Sequence, residues 1–291
     1  MINPAASELG RRNAIIWGRA RDYHVREFPG PLSIKSVVSG SAVWETREGR
    51  FDVDPDSYIV LNHGQPYSIT VESPQIVETF CVFFQRGFVE DAYRTLSTPA
   101  NRQLDAPFSE PASAGFFERL QPHDAAIVPR LRSMHRRVAA GTASEEWLED
   151  QFLKLAEWLV RLKAEVGREM ARLPAVRAST RAELFRRLHR GKRYLDASLD
   201  QPLTLPEIAR NACLSPFHFH RLFSATFGET PHVYVVRRRL EKAARLLSST
   251  AMPVTEISLE SGFQSLGSFS TLFRRRFGRS PREYRQDSAK R

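Results

Sequence analysis

The chain has 291 residues, a length typical of two domains, and its composition is that of a globular protein with enough apolar residues for sizeable cores. The formal net charge of +10 is unevenly spread, because residues 173–291 carry 22 Lys+Arg against 10 Asp+Glu, whereas residues 1–172 carry 21 against 23. This split indicates that the C-terminal part meets a polyanion, the alternative being a solvated arginine-rich surface.

The sequence contains no apolar run long enough to cross a bilayer, and its first residues, MINPAASELGRR, lack the apolar segment of a signal peptide. We therefore expect a cytoplasmic protein that does not enter a membrane. Cys81 and Cys213 lie far apart, and two cysteines make neither a disulfide framework nor a zinc site. Both are expected to be reduced thiols.

Residues 11–95 are predicted to form β-strands, because short segments rich in β-branched and aromatic residues alternate with turn signals. The segments are LSIKSVV, SAVWETR, RFDVD, SYIVLN, YSITVE and IVETFCVFF, and the turn signals include SGS, REG, DPDS, NHGQP and ESP. Many short strands at even spacing are typical of a small antiparallel barrel or jelly roll. Residues 97–122 are rich in proline and are expected to form a loop.

Two helices are predicted next, over residues 123–140 and from about Ser144, a plausible N-cap, to about 172. Along the second helix, apolar residues alternate by four and three, which is a heptad pattern. These heptad positions are Leu148, Phe152, Leu155, Leu159, Leu162 and Val166. The pattern leaves two alternatives open, packing against the chain's own barrel or a dimer interface. Residues 173–181 are predicted to be a linker.

From Ala182 onward the pattern is helical and it repeats. The segment 205–234 aligns with 254–284 with a one-residue insertion in the second copy. Each copy predicts a short helix, a tight turn and a second helix, over 205–227 and 254–277, so each copy is a candidate helix-turn-helix.

The phrases GETPHVY and GRSPREY close the two copies. Gly228 and Gly278 suit the left-handed position that ends a helix, and the hydroxyl–proline pairs that follow suit the start of the next helix. The helix that opens at Pro231 would be about 25 Å long at roughly 1.5 Å per residue. Such a strut could set two recognition helices about one DNA turn apart, roughly 34 Å, on one side of a duplex.

At this point the sequence resembles a known family. Residues 183–286, with LSPFHFHRLF, GETPHVYVVRRRLEKAARLL and VTEISLESGFQSLGSFSTLFRRRFGRSPREYR, are similar to the DNA-binding domain of AraC/XylS-type transcriptional regulators. The N-terminal part resembles, more loosely, the cupin-like sensor barrel with dimerisation helices of many such regulators. The resemblance implies a two-domain α+β chain: a cupin-like antiparallel β-barrel with trailing helices that senses an effector and dimerises (1–172), a linker (173–181) and an all-α DNA-binding domain with two helix-turn-helix motifs (182–288).

In the first recognition helix, the face opposite the apolar one carries Phe217, His220, Arg221 and Ser224. The resemblance implies that Phe217, His220 and Arg221 reach bases, and Arg221 can fork onto guanine, although a phosphate contact is the alternative. Ser224 is expected at the DNA backbone.

In the second recognition helix, the matching base-reading positions offer no bidentate donor, so apolar contact and DNA shape are expected to replace hydrogen bonds there. These positions are Leu266, Gly267, Ser268 and Thr271. Further backbone contacts are expected from basic residues, with a solvated face as the alternative for Lys192. They are Arg274, Arg275, Arg276, Arg238 and Lys192.

The N-terminal barrel carries few signs of its ligand. Trp44, Tyr58, His63 and Tyr67 could line a pocket for a small-molecule effector, or belong to the barrel core. His24 and His63 are isolated, so no metal site is expected, and no cofactor motif or catalytic triad is visible.

The sequence therefore predicts a DNA-binding transcriptional regulator, without enzymatic activity or cofactor, that responds to an unknown effector. Its expected partners are double-stranded DNA, a second copy of the chain and, for an activator, RNA polymerase. A cupin-class metalloenzyme with an added helical module is the main alternative, and a DNA architectural protein without sequence preference is another.

Overall fold

The computed structural model describes residues 2–97, 115–122, 127–175 and 177–288. The chain divides into two compact units, Met1–Val166 and Gly167–Arg291. Within the described residues, the first unit holds all seven strands and the second is helical. None of the helices in those ranges is both long enough and apolar enough to cross a bilayer.

The strands form one antiparallel sheet that curls into a nearly closed barrel, which confirms the predicted architecture. They are β1 (Ala14–Pro29), β2 (Ser33–Ser39), β3 (Ala42–Thr46), β4 (Gly49–Val53), β5 (Ser57–Leu61), β6 (Pro66–Phe83) and β7 (Leu120–Pro122). Their order is β4-β3-β6-β2-β5-β7, and β1 pairs with β6 outside this path. Strand β6 is central, because it pairs with β1, β2 and β3.

Strand β6 is continuous where the sequence predicts two strands separated by an ESP turn, so that prediction is wrong. The physical reason is its partner, because β1 is almost as long and pairs with both halves of β6, from Ala14↔Phe83 to Pro29↔Pro66. The register shifts between the two halves, from Ala20↔Val77 to Asp22↔Glu72, so residues 73–76 of β6 form a bulge at the ESP segment instead of a turn.

Helix α1 (Phe88–Ser97) replaces the end of the predicted strand region, so the expectation of strands up to residue 95 is also wrong. Gly87 precedes it at φ +86°, and Glu90 and Asp91 lie in its first turn, where they favour a helix start. Residues 98–114 of the predicted loop lie outside the described residues. Leu120–Pro122, at the other end of that loop, forms β7 and pairs with β5.

Two apolar cores lie on the two faces of the sheet, because successive strand residues point to opposite sides. The barrel interior contains Trp44, Phe51, Tyr67 and Phe83, among others. The outer face packs against the helices that follow the barrel.

These helices are α2 (Ile127–Ala139) and α3 (Glu145–Ala171). Ser144 Oγ accepts a hydrogen bond from the Trp147 amide at 3.2 Å, which confirms the predicted cap. All six heptad positions of α3 are buried within the chain. Leu148 to Leu162 of this set share one core with α2 and the outer barrel face, so these side chains are used in packing within their own unit. The heptad face therefore corresponds to the first of the two alternatives.

The C-terminal unit contains seven further helices in its described residues. They are α4 (Ala178–Ala197), α5 (Leu205–Asn211), α6 (Pro216–Phe227), α7 (Pro231–Ser249), α8 (Val254–Glu260), α9 (Leu266–Phe277) and α10 (Pro281–Ser288). Helix α4 begins inside the predicted linker, four residues before Ala182. The bounds of α6 and α9 agree with the predicted recognition helices.

The repeated phrase has a packing role as well as a capping role. In the first copy, the rings of Phe223 and Tyr234 pack edge to face at 5.6 Å. In the second copy, Phe273 and Tyr284 do the same at 5.4 Å. The tyrosine that ends each phrase therefore packs the following helix against its recognition helix. Glycine ends one helix, proline begins the next and tyrosine joins the two, which explains why the three residues recur together.

Candidate nucleic-acid interface

The first helix-turn-helix is α5 and α6, and local hydrogen bonds fix both helix starts. Thr204 and Glu207 form a reciprocal capping box, with the Thr204 amide donating to Glu207 Oε2 at 3.1 Å. The Thr204 hydroxyl also donates to this carboxylate, at 2.7 Å, and this bond together with that from the amide lowers the pKa of Glu207. Ser215 Oγ accepts from the His218 amide at 3.3 Å, and Gly228 ends α6 at φ +75°. The predicted start and stop signals are confirmed here.

The second helix-turn-helix, α8 and α9, repeats the start and stop signals of the recognition helix. Ser265 Oγ accepts from the Ser268 amide at 3.4 Å, and Gly278 ends α9 at φ +73°. Ser280 and Glu283 cap the following helix reciprocally, with the Ser280 amide donating to the carboxylate at 2.7 Å. The two recognition helices thus begin and end in the same way, whereas the capping box of α5 has no counterpart at α8, which follows Pro253 without a side-chain cap.

The turns between the paired helices differ in one respect. Both require a left-handed residue, which is Cys213 at φ +51° in the first copy and Gly262 at φ +87° in the second. Cys213 is exposed, so its side chain has room. A Cβ on Gly262 would lie 2.0 Å from the Leu199 carbonyl oxygen, so only glycine fits there.

The recognition helix α6 buries one face and exposes the other. Phe219, Leu222 and Phe223 are fully buried, whereas Phe217 is 76% exposed. His220 and Arg221 are exposed as well, and the Arg221 guanidinium lies 5.9 Å from the Phe217 ring centroid. The three predicted base-reading residues therefore share one accessible face.

The recognition helix α9 buries Phe269 and Phe273 on the equivalent face. Its predicted base-reading residues, Leu266, Gly267, Ser268 and Thr271, are all exposed. A Cβ on Gly267 would meet only Ser265 Oγ, at 3.7 Å, so packing does not demand glycine. A bare backbone at this point lets another molecule approach the helix start closely.

Helix α7 joins the two motifs. Its 19 residues give a length of about 28 Å. A cleft of about 800 Å³ is lined by His220 of α6, Ser268 of α9 and His232 and Val236 of α7. The two recognition helices therefore border one shared cleft.

The prediction that Arg238 contacts the DNA backbone is corrected by the structure. Its guanidinium is mostly buried and donates to Asp196 at 2.9 Å and to Glu241 at 3.1 Å. Tyr234 also donates to Asp196, at 2.8 Å. Arg238 thus ties α7 to α4, because a buried guanidinium needs carboxylate partners and has found them inside the protein.

The remaining predicted backbone contacts have mixed surroundings. Arg274, Arg275 and Arg276 are exposed, and Arg276 lies 3.9 Å from Glu241. Ser224 donates to the His220 carbonyl at 2.9 Å, a bond within its own helix. Lys192 is only partly exposed, and its ammonium lies over the Phe227 ring at 4.8 Å.

The four predicted effector residues do not form one site. Trp44 and Tyr67 belong to the barrel interior, whereas Tyr58 lies on the outer face of the sheet and packs edge to face on Trp158. His63 is exposed, and Arg86 lies 2.8 Å from its Nε2 atom. The structure thus corrects the grouping, since strand alternation sends Tyr58 away from Tyr67.

The sequence reasoning missed Lys35, a lysine 1% exposed inside the barrel. Its Nζ donates to the Tyr67 hydroxyl at 2.7 Å and lies 3.7 Å above the Phe83 ring. Burial lowers the pKa of Lys35 to about 7. In the LSIKSVV segment, Lys35 lies between apolar and polar residues that alternate along the strand, and a lysine in such a pattern usually faces solvent. The sequence therefore offered no signal for its burial.

The residues that the structure describes contain no group of three or more His, Cys, Asp and Glu side chains that could hold a metal ion.

Comparisons with known proteins match both units. A family model described as an AraC-like ligand binding domain matches residues 13–156, and one described as a helix-turn-helix domain matches residues 208–287. LumQ from Photobacterium leiognathi, described as a probable transcriptional regulator, is 36% identical over 91 residues. These residues are 31% of this chain and 37% of LumQ, so the match spans little more than a third of that protein.

The regulatory protein SoxS of Escherichia coli K12 is 35% identical over 92 residues, which are 32% of this chain and 86% of SoxS. A solved transcriptional regulator from Chromobacterium violaceum with an AraC-type DNA-binding domain is 30% identical to the part it matches. That match covers 39% of this chain and 97% of the solved chain, with a TM-score of 0.34.

Proposed function

The chain belongs to the AraC family, and from this premise we propose that it is a transcriptional regulator that binds specific DNA sequences. The observation that carries the proposal is the pair of helix-turn-helix motifs on a strongly basic unit, whose recognition helices each contribute one exposed predicted base-reading residue, His220 and Ser268, to one cleft. The family assignment favours a regulator over the cupin-class metalloenzyme.

Base recognition would rest mainly on α6. Arg221 can form two hydrogen bonds with a guanine, His220 can donate to a base or a phosphate, and Phe217 can contact a thymine methyl group. The high exposure of Phe217 supports this role, because a phenyl ring gains nothing from water and is normally buried.

Recognition by α9 would depend on shape. Leu266 is 43% exposed, and the neighbouring Gly267 and Ser268 leave the helix start slim enough for close approach to a groove. The exposed Arg274 and Arg275 would contact phosphates, which position the helix without reading bases. Arg276 would exchange Glu241 for a phosphate or remain beside it.

The barrel unit would bind a small-molecule effector and mediate formation of a homodimer. Since the heptad face of α3 is used inside the chain, a dimer contact would involve other residues of the first unit, such as Leu153, which is 53% exposed. An activator of this kind would also contact RNA polymerase, and a protein that acts on chromosomal DNA would work in the cytoplasm.

The test is selection of preferred duplexes from a random pool, followed by affinity measurements on the selected site and its single-base variants. Affinity for the selected site should fall steeply as salt rises. Arg221→Ala should reduce discrimination at one base pair by about 10- to 100-fold, which corresponds to roughly 1–3 kcal/mol. Arg275→Ala is the matched control, because loss of a phosphate contact should weaken all duplexes equally.

Two results would contradict the proposal. Equal affinity for selected and unrelated duplexes would indicate an architectural protein. A uniform loss for Arg221→Ala, like that expected of the control, would remove Arg221 from base reading.

A further inference from the structure

The barrel interior contains hydrogen-bond donors that have too few acceptors. Lys35 has three N–H donors, and its one hydrogen-bond acceptor in the described part of the chain is the Tyr67 hydroxyl, at 2.7 Å. Ser33 is 0% exposed and lies two residues earlier on β2, so it points to the same side of the sheet. Its Oγ has no hydrogen-bond partner among the described residues.

In the part of the chain that the structure describes, no carboxylate compensates this lysine. Among the described residues, no Asp or Glu oxygen forms an ion pair with Nζ, whose surroundings are the rings of Phe83 and Tyr67, at 3.7 and 4.3 Å. Cys81 is the other titratable group that acts on Lys35, and burial raises the pKa of its thiol, so it carries no charge at neutral pH.

A buried lysine without a counterion makes the fold less stable than an apolar residue of the same length would. A bound ligand that supplies the acceptor absent from the described residues would explain its presence. We propose that Ser33, Lys35 and Tyr67 form the anion-binding end of a ligand site inside the barrel, and that the ligand is a small apolar molecule with one carboxylate group.

The donors and the lining select this chemistry. One ammonium balances one negative charge, whereas a phosphate dianion would leave a charge unpaired in an apolar interior. Two hydroxyls and the ammonium supply enough donors for the two oxygens of a carboxylate. The rest of the interior core is aromatic and aliphatic, including Trp44 and Phe51, which suits an apolar body.

This inference rests on the proposed function, because the cluster lies within residues 13–156, which match the ligand-binding domain. The ligand inferred here would be the effector of that domain. The ligand titration itself requires no DNA. A chain that binds carboxylates but prefers no duplex would therefore retain this site and lose the proposed function.

The test is calorimetric titration of the full chain with benzoate and octanoate, each compared with its neutral isostere, benzamide or octanamide. The carboxylates should bind at least about tenfold more tightly than the amides, because only they can pair with the ammonium. Lys35→Met should remove this preference. The matched control is Lys154→Met on the exposed face of α3, which should leave it unchanged.

A second readout follows from proton linkage. The ammonium of the complex is stabilised by the carboxylate, so binding above pH 7 should take up close to one proton, and affinity should fall by about tenfold per pH unit there. Titrations at pH 8.5 in two buffers of different ionisation enthalpy measure this uptake, which Lys35→Met should abolish.

Tyr67→Phe provides an independent variant that keeps the ring and removes one donor, and it should weaken carboxylate binding by about three- to tenfold. Equal binding of carboxylates and amides to the wild-type chain would overturn the proposal. So would unchanged carboxylate affinity and proton uptake in Lys35→Met.

Discussion

Replacing Gly262 by alanine should destabilise the second helix-turn-helix strongly. The residue has φ +87°, and an added Cβ would lie 2.0 Å from the Leu199 carbonyl oxygen and 2.8 Å from Arg239 Nε. That carbonyl already accepts a hydrogen bond from Arg239 Nε at 2.7 Å. The new methyl group would therefore force both partners apart.

The magnitude follows from three separable costs. A left-handed alanine costs about 1 kcal/mol after its smaller unfolded-state entropy is included. Overpacking adds about 1–3 kcal/mol, and the strained hydrogen bond adds about 1 kcal/mol more. We expect a total of roughly 3–5 kcal/mol. Gly278→Ala is the matched control, because its φ is +73° but a Cβ there meets nothing within 4 Å, so only the first cost of about 1 kcal/mol applies.

Hydrogen exchange of amides in α8 and α9, measured by mass spectrometry on the full chain, reports the free energy of opening of this motif. Gly262→Ala should lower it far more than Gly278→Ala does. If the two variants differ by less than about 1 kcal/mol, the contact with Leu199 does not determine the choice of glycine at this turn.

Two further predictions concern stability. Thr204→Ala removes the capping box of α5 and should destabilise this helix by about 1 kcal/mol. Hydrogen exchange of the α5 amides would measure the loss. The control is Thr255→Ala, because Thr255 lies inside α8 and caps no helix. In the folded chain the pKa of Lys35 is about 7, which is below its value in the unfolded chain. Above pH 7 the unfolded chain therefore binds more protons at this residue than the folded chain does. The free energy of unfolding of the wild-type chain should rise by up to about 2 kcal/mol between pH 7 and 8.5. Chemical denaturation should show that Lys35→Met is more stable than the wild-type chain at pH 7 and that its stability lacks this rise. If both chains have the same dependence of stability on pH, Lys35 does not lose its charge in the folded chain.

Helix ends of the C-terminal unit could be read from the sequence because their causes are local. Ser215, Gly228 and Thr230 act on backbone groups within a few residues, and the same residue types recur in the second copy. Apolar periodicity likewise identified the buried faces of α6 and α9. The exposed residues on the opposite faces, such as Phe217 and Arg221, followed directly.

The barrel was harder to predict because its interactions join residues far apart in sequence. The ESP segment forms a bulge within β6 because β1 pairs with the strand on both sides of it, and no local signal reports the length of a partner strand. Helix α1 was missed for a related reason, since its short amphipathic pattern follows directly on a strand.

The sequence by itself determined the class of the chain, a β-rich unit followed by a basic unit with two repeated helix pairs. Capping and periodicity depend on residues close in sequence, and net charge is a sum over residues. Only the tertiary structure decided where individual charges and faces go. Arg238 meets Asp196 across 42 residues, Lys35 is enclosed by the closure of the sheet, and the heptad face of α3 lies on its own barrel. Long-range packing sets the solvation of each of these groups, and solvation decides whether a group is free to bind.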